Sequence, residues 1–132
     1  MKGFVSIIAG SKSDENIVKK AVEVLKENDV NHEVKYLSAH RNPDELKEYV
    51  KKSESGVDVY ICVAGLSAAL PGVVASQTSR PVIGVPVNVR LDGLDALLSM
   101  MQMPSGVPVA TVGINNGKNA AHLAIRILRL KY

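Results

Sequence analysis

Three short segments carry more chemistry than simple connections require. Gly10-Ser11-Lys12-Ser13-Asp14 sets two hydroxyls and a carboxylate beside a glycine. Ser38-Ala39-His40-Arg41 lines up a hydroxyl, an imidazole and a guanidinium. Gly65 and Ser67 lie in "AGLSAALPG", a run of otherwise small and apolar residues. Each type suits part of one task. A guanidinium is a permanently charged fork that matches phosphate geometry, and Ser hydroxyls add donors. An imidazole takes or gives a proton near neutral pH. Asp14 cannot want a phosphate, but it can accept bonds from ribose hydroxyls. Small residues let backbone N–H groups approach a flat ligand closely. Each segment also has a plainer reading: helix capping by Ser13 or Asp14, a turn with exposed His40 and Arg41, and close packing of a helix on a sheet.

The elements around these segments decide between the readings. Phe4 to Ala9 is apolar and β-prone, and Gly10 breaks it. From Asp14, apolar residues recur at Ile17, Ala21, Val24 and Leu25, a helical spacing. His32 to Leu37 alternates as a strand does. Asn42-Pro43-Asp44-Glu45 then opens a second helix, with Asn42 as N-cap, Pro43 at the first helical position and Glu45 completing a capping box. Val57 to Ala64 is nearly continuous in apolar residues, as in a strand covered on both faces. Ala69–Thr78, Leu91–Met101 and Lys118–Leu130 read as helices, and Pro81–Val85 and Val107–Val112 as strands.

Strand and helix alternate five times with short connections. The expected fold is therefore α/β, with a five-stranded parallel sheet and helices on both faces. Residues 1–132 form one domain by this reading. In such sheets ligands bind beyond the carboxyl ends of the strands. Ser11, Ser13 and Asp14 follow the first strand, and Ser38, His40 and Arg41 the second. Gly65 and Ser67 follow the third, and Pro86 and Asn88 the fourth. Their convergence on one sheet edge is the functional signal.

Composition narrows the ligand. The chain has 132 residues, 46% hydrophobic, with a net charge of +3, which weakly favours an anionic partner. Aromatics make up only 4% and Trp is absent, so the stacking platforms of nucleic-acid binders are missing. No apolar run reaches the roughly 18 residues of a membrane span. The first segment lacks the Gly-Lys-Ser/Thr ending of a P-loop and the spaced glycines of a dinucleotide fingerprint. Cys62 is the single cysteine, so no disulfide forms within the chain, in keeping with a cytoplasmic location. His32 and His122 have no metal-ligand spacing, and "LLSMMQMPSG" reads as a packing surface.

"GSKSD", "SAHR" and "AGLSAALPG", followed by "MQMPSGVPVATVGINNGKNAAHLAIRIL", resemble the PurE family of de novo purine biosynthesis through almost the whole chain. The resemblance implies a flavodoxin-like three-layer α/β/α sandwich. It also implies a homo-oligomer, commonly an octamer, with active sites at subunit contacts. Family members make 4-carboxy-5-aminoimidazole ribonucleotide without biotin, metal or ATP, so no cofactor is expected. One branch carboxylates aminoimidazole ribonucleotide directly with CO2. The other moves the carboxyl of N5-carboxyaminoimidazole ribonucleotide from nitrogen to carbon. By resemblance, Ser11, Ser13 and Arg41 hold the 5′-phosphate and Asp14 the ribose. Ser38 positions the nucleotide, Gly65 and Ser67 line the aminoimidazole and carboxylate end, and His40 is the general acid/base.

The rearranging branch usually carries a longer third loop with a second histidine before "LPG"; this chain has Ala69 there. The short loop with Ser67 looks like the direct-carboxylase branch, whereas that branch often has Lys in place of Arg41. Many relatives also continue into a C-terminal helix that reaches a neighbouring subunit. The expectation is phosphoribosylaminoimidazole carboxylase activity. The alternatives are the N5-carboxyaminoimidazole ribonucleotide mutase and a non-catalytic ribonucleotide sensor.

Overall fold

A computed structural model describes residues 1–132. Five strands are built from the apolar runs: β1 (Phe4–Ala9), β2 (Asn31–Tyr36), β3 (Val59–Ala64), β4 (Val82–Pro86) and β5 (Ala110–Thr111). Five helices alternate with them: α1 (Glu15–Glu27), α2 (Pro43–Ser53), α3 (Leu70–Gln77), α4 (Leu94–Met101) and α5 (Gly117–Lys131). All strand pairs are parallel, in the order β2-β1-β3-β4-β5. This is the flavodoxin-like order, and its topological switch lies between β1 and β3.

The side-chain alternation of a strand divides the core in two. Val5, Ile7 and Ala9 of β1 and Val59, Ile61 and Val63 of β3 face α1 and α5. Ile8, Tyr60, Cys62 and Ala64 face α2, α3 and α4. The three layers are thus helices, sheet, helices. β3 is buried at every position, as its near-continuous apolar run requires. Cys62 lies at its centre, where burial pushes the thiol well above its ordinary value and leaves it inert. Lys19, Lys20, Glu23, Lys26 and Glu27 form the solvated face of α1. No helix is long and apolar enough to cross a membrane.

The structure corrects four local expectations. Asn42 occupies the N-cap position of α2, but its side chain makes no capping bond. Its Oδ1 instead accepts the Ser38 N–H at 3.3 Å, so the expected capping box does not form. The predicted helix over Leu91–Met101 begins as a 3-10 turn at Leu91–Gly93, and α4 proper starts at Leu94. β5 shrinks from Val107–Val112 to two residues. Pro108 offers no N–H to a ladder, and the Val107 N–H is already turned back onto the Pro104 carbonyl. Finally, β3 starts at Val59 rather than Val57, because the Asp58 carboxylate reaches back to cap the Phe4 N–H at 2.9 Å.

Candidate active site

At the switch between β1 and β3, four loops enclose an open cavity of about 240 Å³. Ser11, Ser13 and Asp14 reach it from the loop after β1, and Ser38, His40 and Arg41 from the loop after β2. Gly65 reaches it from the loop after β3. Gly10 anchors the first loop to the third strand, its N–H donating to the Val63 carbonyl at 3.1 Å. Seven of the ten residues placed at this sheet edge by the sequence therefore share one cavity; Ser67, Pro86 and Asn88 do not line it. Ser67 is the exception on the third loop. It is exposed, with a left-handed φ of 47°, and does not line the cavity.

Two serines shape their loops in the same way. Ser11 Oγ accepts the Ser13 N–H at 3.2 Å and the Ser13 hydroxyl at 2.9 Å. Ser38 Oγ accepts the N–H groups of His40 at 3.2 Å and Arg41 at 3.1 Å. A serine hydroxyl has two lone pairs and one proton. Both lone pairs of each serine are thus spent on the loop, and the proton remains free to donate to a ligand. The second turn is closed by the Asn42 N–H on the Ser38 carbonyl at 2.9 Å. This fixes the backbone under His40 and Arg41 while their side chains stay exposed.

Asp14 differs from its neighbours. It is only 6% exposed, and it caps no backbone group of α1. Burial pushes its carboxyl above the ordinary value, and a bond from the Ser11 backbone offsets this in part. A buried carboxylate with spare acceptor capacity beside a polar cavity is suited to ligand hydroxyls.

Much of the apolar half of the wall comes from the small, apolar third loop singled out in the sequence, whereas Ala39 and Val89 were missed. Ala39, Ala64, Leu66, Ala68, Ala69, Leu70 and Val89 complete the lining. The loop after β4 contributes Val89, not the Pro86 and Asn88 expected there. Pro86 pairs with Ala64 in the sheet, and the Asn88 N–H donates to Asn115 Oδ1 at 2.9 Å. Val89 was legible only as the next residue of the same loop. His32 and His122 stay apart from the cavity. His32 Nδ1 bonds the Val30 carbonyl at 2.8 Å, and His122 is exposed on α5. No group of three or more His, Cys, Asp or Glu is placed to hold a metal ion.

A family model described as "AIR carboxylase" matches residues 4–132. A Methanocaldococcus jannaschii protein named N5-carboxyaminoimidazole ribonucleotide mutase is 60% identical over 97% of this chain and 80% of its own length. An Aquifex aeolicus protein of the same name is 56% identical over 100% of this chain and 80% of its own. Among solved structures, the fold matches the crystal structure of Treponema denticola PurE with a TM-score of 0.89. That match has 32% identity and covers 98% of this chain and 82% of the other.

Proposed function

The chain belongs to the AIR carboxylase (PurE) family of enzymes, and we propose that it is an N5-carboxyaminoimidazole ribonucleotide mutase, acting through a single catalytic domain over residues 1–132. The observation that carries this reading is the 60% identity, over nearly the whole chain, to a relative bearing that name. It displaces the direct carboxylation expected from the third loop. The missing histidine at Ala69, which lines the cavity, still favours direct carboxylation as the second reading.

The cavity supports a division of labour. Arg41 and the free proton of Ser11 hold the 5′-phosphate, Ser13 joins them by turning its hydroxyl from Ser11 Oγ to the ligand, and Asp14 accepts the ribose hydroxyls. Ser38 donates its remaining proton to the nucleotide. The ring lies against Gly65, where the small side chains of Ala64, Ala68 and Ala69 leave room for a flat heterocycle. Ser67 enters only if its loop turns inward on binding.

The reaction is an isomerisation, so protons must balance within the site. The bond from the exocyclic nitrogen to the carboxyl carbon breaks, that nitrogen gains a proton, and CO2 is released inside the cavity. The ring carbon then attacks CO2 and becomes tetrahedral with one proton too many. Removing that proton restores aromaticity. One group that gives a proton in the first half and takes one in the second returns to its starting state. His40 is the cavity's imidazole and fills this role. Keeping CO2 beside the ring carbon replaces a bimolecular encounter by an intramolecular one. A homo-octamer is proposed with this reading. Self-association is supported by the exposed apolar residues Leu94, Leu98 and Met101, at helical spacing on α4, and by exposed Leu91 just before it.

An ATP-free ultraviolet assay tests the reading. Turnover of N5-carboxyaminoimidazole ribonucleotide to the 4-carboxy product is expected. Turnover only with aminoimidazole ribonucleotide and dissolved CO2 would favour the carboxylase. Nucleotide binding without change in either substrate would leave the sensor.

A further inference from the structure

The proposed substrate carries two anionic groups, a phosphate and a carboxylate. The cavity wall supplies one permanent cation, Arg41. The wall opposite the proposed phosphate loops is Gly65 and Val89. They are in close contact: a Cβ on Gly65 would lie 2.5 Å from Val89 Cγ2 and 3.5 Å from Val87 Cβ. The residue after Val89 is Arg90. Its guanidinium is exposed and donates only to the Val89 carbonyl, at 3.2 Å. Neither of the structure's two ion pairs involves it; they join Lys52 to Glu48 and Lys131 to Asp58. Asp92, two residues on, does not pair with it.

Three other cations are placed elsewhere. Lys12 sits between Ser11 and Ser13, on the phosphate side. Lys35 lies over the Tyr49 ring, and Arg80 Nε donates to the Glu54 carbonyl before β4 begins. The Arg90 loop is also held in place. Asn115 clamps it from both sides, accepting the Asn88 N–H at 2.9 Å and donating its own N–H to the Pro86 carbonyl at 2.8 Å. Immediately after Arg90, Leu91, Asp92 and Gly93 all take left-handed conformations, with φ of 50°, 57° and 82°. Two of these are not glycine, so the reversal costs conformational energy, and such strain collects at functional loops.

We propose that Arg90 is a substrate-binding residue for the carboxylate. It exchanges its bond to the Val89 carbonyl for a two-pronged bond to the carboxyl group at the Gly65 end of the cavity. This rests on the substrate reading above and extends it to a residue that does not line the cavity. A guanidinium matches a carboxylate bidentately, and such charge-assisted pairs are about twice as strong as neutral hydrogen bonds.

The test compares Arg90→Gln with the unaltered protein by titration calorimetry against two nucleotides. One is the 4-carboxy product and the other is aminoimidazole ribonucleotide, which lacks the carboxyl. Loss of about tenfold in affinity for the carboxylated nucleotide is expected, with the other within about twofold. Arg90→Lys should restore part of the loss. Arg41→Gln, on the phosphate side, should weaken both alike. Equal weakening of both nucleotides by Arg90→Gln, or weakening of neither, would overturn the assignment. If the unaltered protein binds neither nucleotide, the substrate reading fails first and this inference falls with it. If it binds both and Arg90→Gln is silent, only the inference falls.

Discussion

Gly117, the first residue of α5, stands directly against the backbone of Ile17 in α1: a Cβ added to Gly117 would lie 2.4 Å from the Ile17 carbonyl oxygen and 3.1 Å from its Cγ2. α1 and α5 cover one face of the sheet together, so this contact sets how closely they lie. Gly117→Ala therefore pits two effects against each other. Helix propensity favours Ala by at most about 1 kcal/mol. Overpacking against a backbone that cannot rotate away costs about 1–3 kcal/mol. The clash should win, and the urea midpoint should fall with the m-value unchanged. Gly113→Ala is the control: its Cβ would meet nothing nearer than 3.8 Å, and its stability should hardly change.

His40→Asn should keep the turn, because the bonds to Ser38 Oγ and to the Ser38 carbonyl come from backbone N–H groups. Nucleotide affinity should stay within a few-fold while turnover falls about 10²–10⁴-fold, the usual worth of a placed acid/base. Steady-state kinetics with a parallel binding titration separates the two. Undiminished turnover would remove His40 from the chemistry.

Ser6 is completely buried in β1, and its hydroxyl meets the Tyr49 hydroxyl at 2.6 Å. Tyr49 donates in turn to Glu33. Burial, and next the Glu33 bond, push the phenol well above its ordinary value, so it remains a donor at all working pH. Tyr49→Phe leaves Ser6 unpartnered in the core and should cost about 1–3 kcal/mol. Ser6→Ala leaves Tyr49 its bond to Glu33 and should cost less. The double variant should lose less than the sum of the singles, by about 0.5 kcal/mol or more. Strict additivity in chemical denaturation would show that the pair is not coupled.

Much of the fold was legible because its signals are local. The continuous apolar run of β3 and the 3.6-residue spacing of α1 each follow from which faces are buried. What stayed hidden depends on partners distant in sequence. Asn42 reads as a helix cap until the Ser38 N–H takes its side chain. Val107–Val112 reads as a full strand, yet only Ala110 and Thr111 reach register with β4. The polar half of the cavity was visible because hydroxyls, imidazole and guanidinium are rare together in connections. Val89 was not, since a valine in a loop gives no sign that it packs on Gly65. Ser67 shows the reverse: its type suits the site, but it is exposed and lies outside the cavity lining.

Asp14 supplies a pH prediction in which the sign matters. Its folded-state carboxyl titrates above the ordinary value, chiefly through burial. For folding, this makes the protonated form the favoured one. That contribution is complete below the unfolded value near 3.9 and is lost as pH rises through the higher folded value. For binding, the requirement is opposite, because only the ionised carboxylate accepts two ribose hydroxyls at full strength. Nucleotide affinity should therefore fall, as pH is lowered, through a range above that of an exposed aspartate, while the fold gains rather than loses stability from the same proton. Asp14→Asn should bind more weakly at neutral pH and should lose this acid limb. Calorimetric titrations of aminoimidazole ribonucleotide across mildly acidic pH, with thermal unfolding at each point, separate the two effects. An acid limb that persists in Asp14→Asn would assign the titration to the phosphate of the ligand, whose second proton also binds near pH ~6.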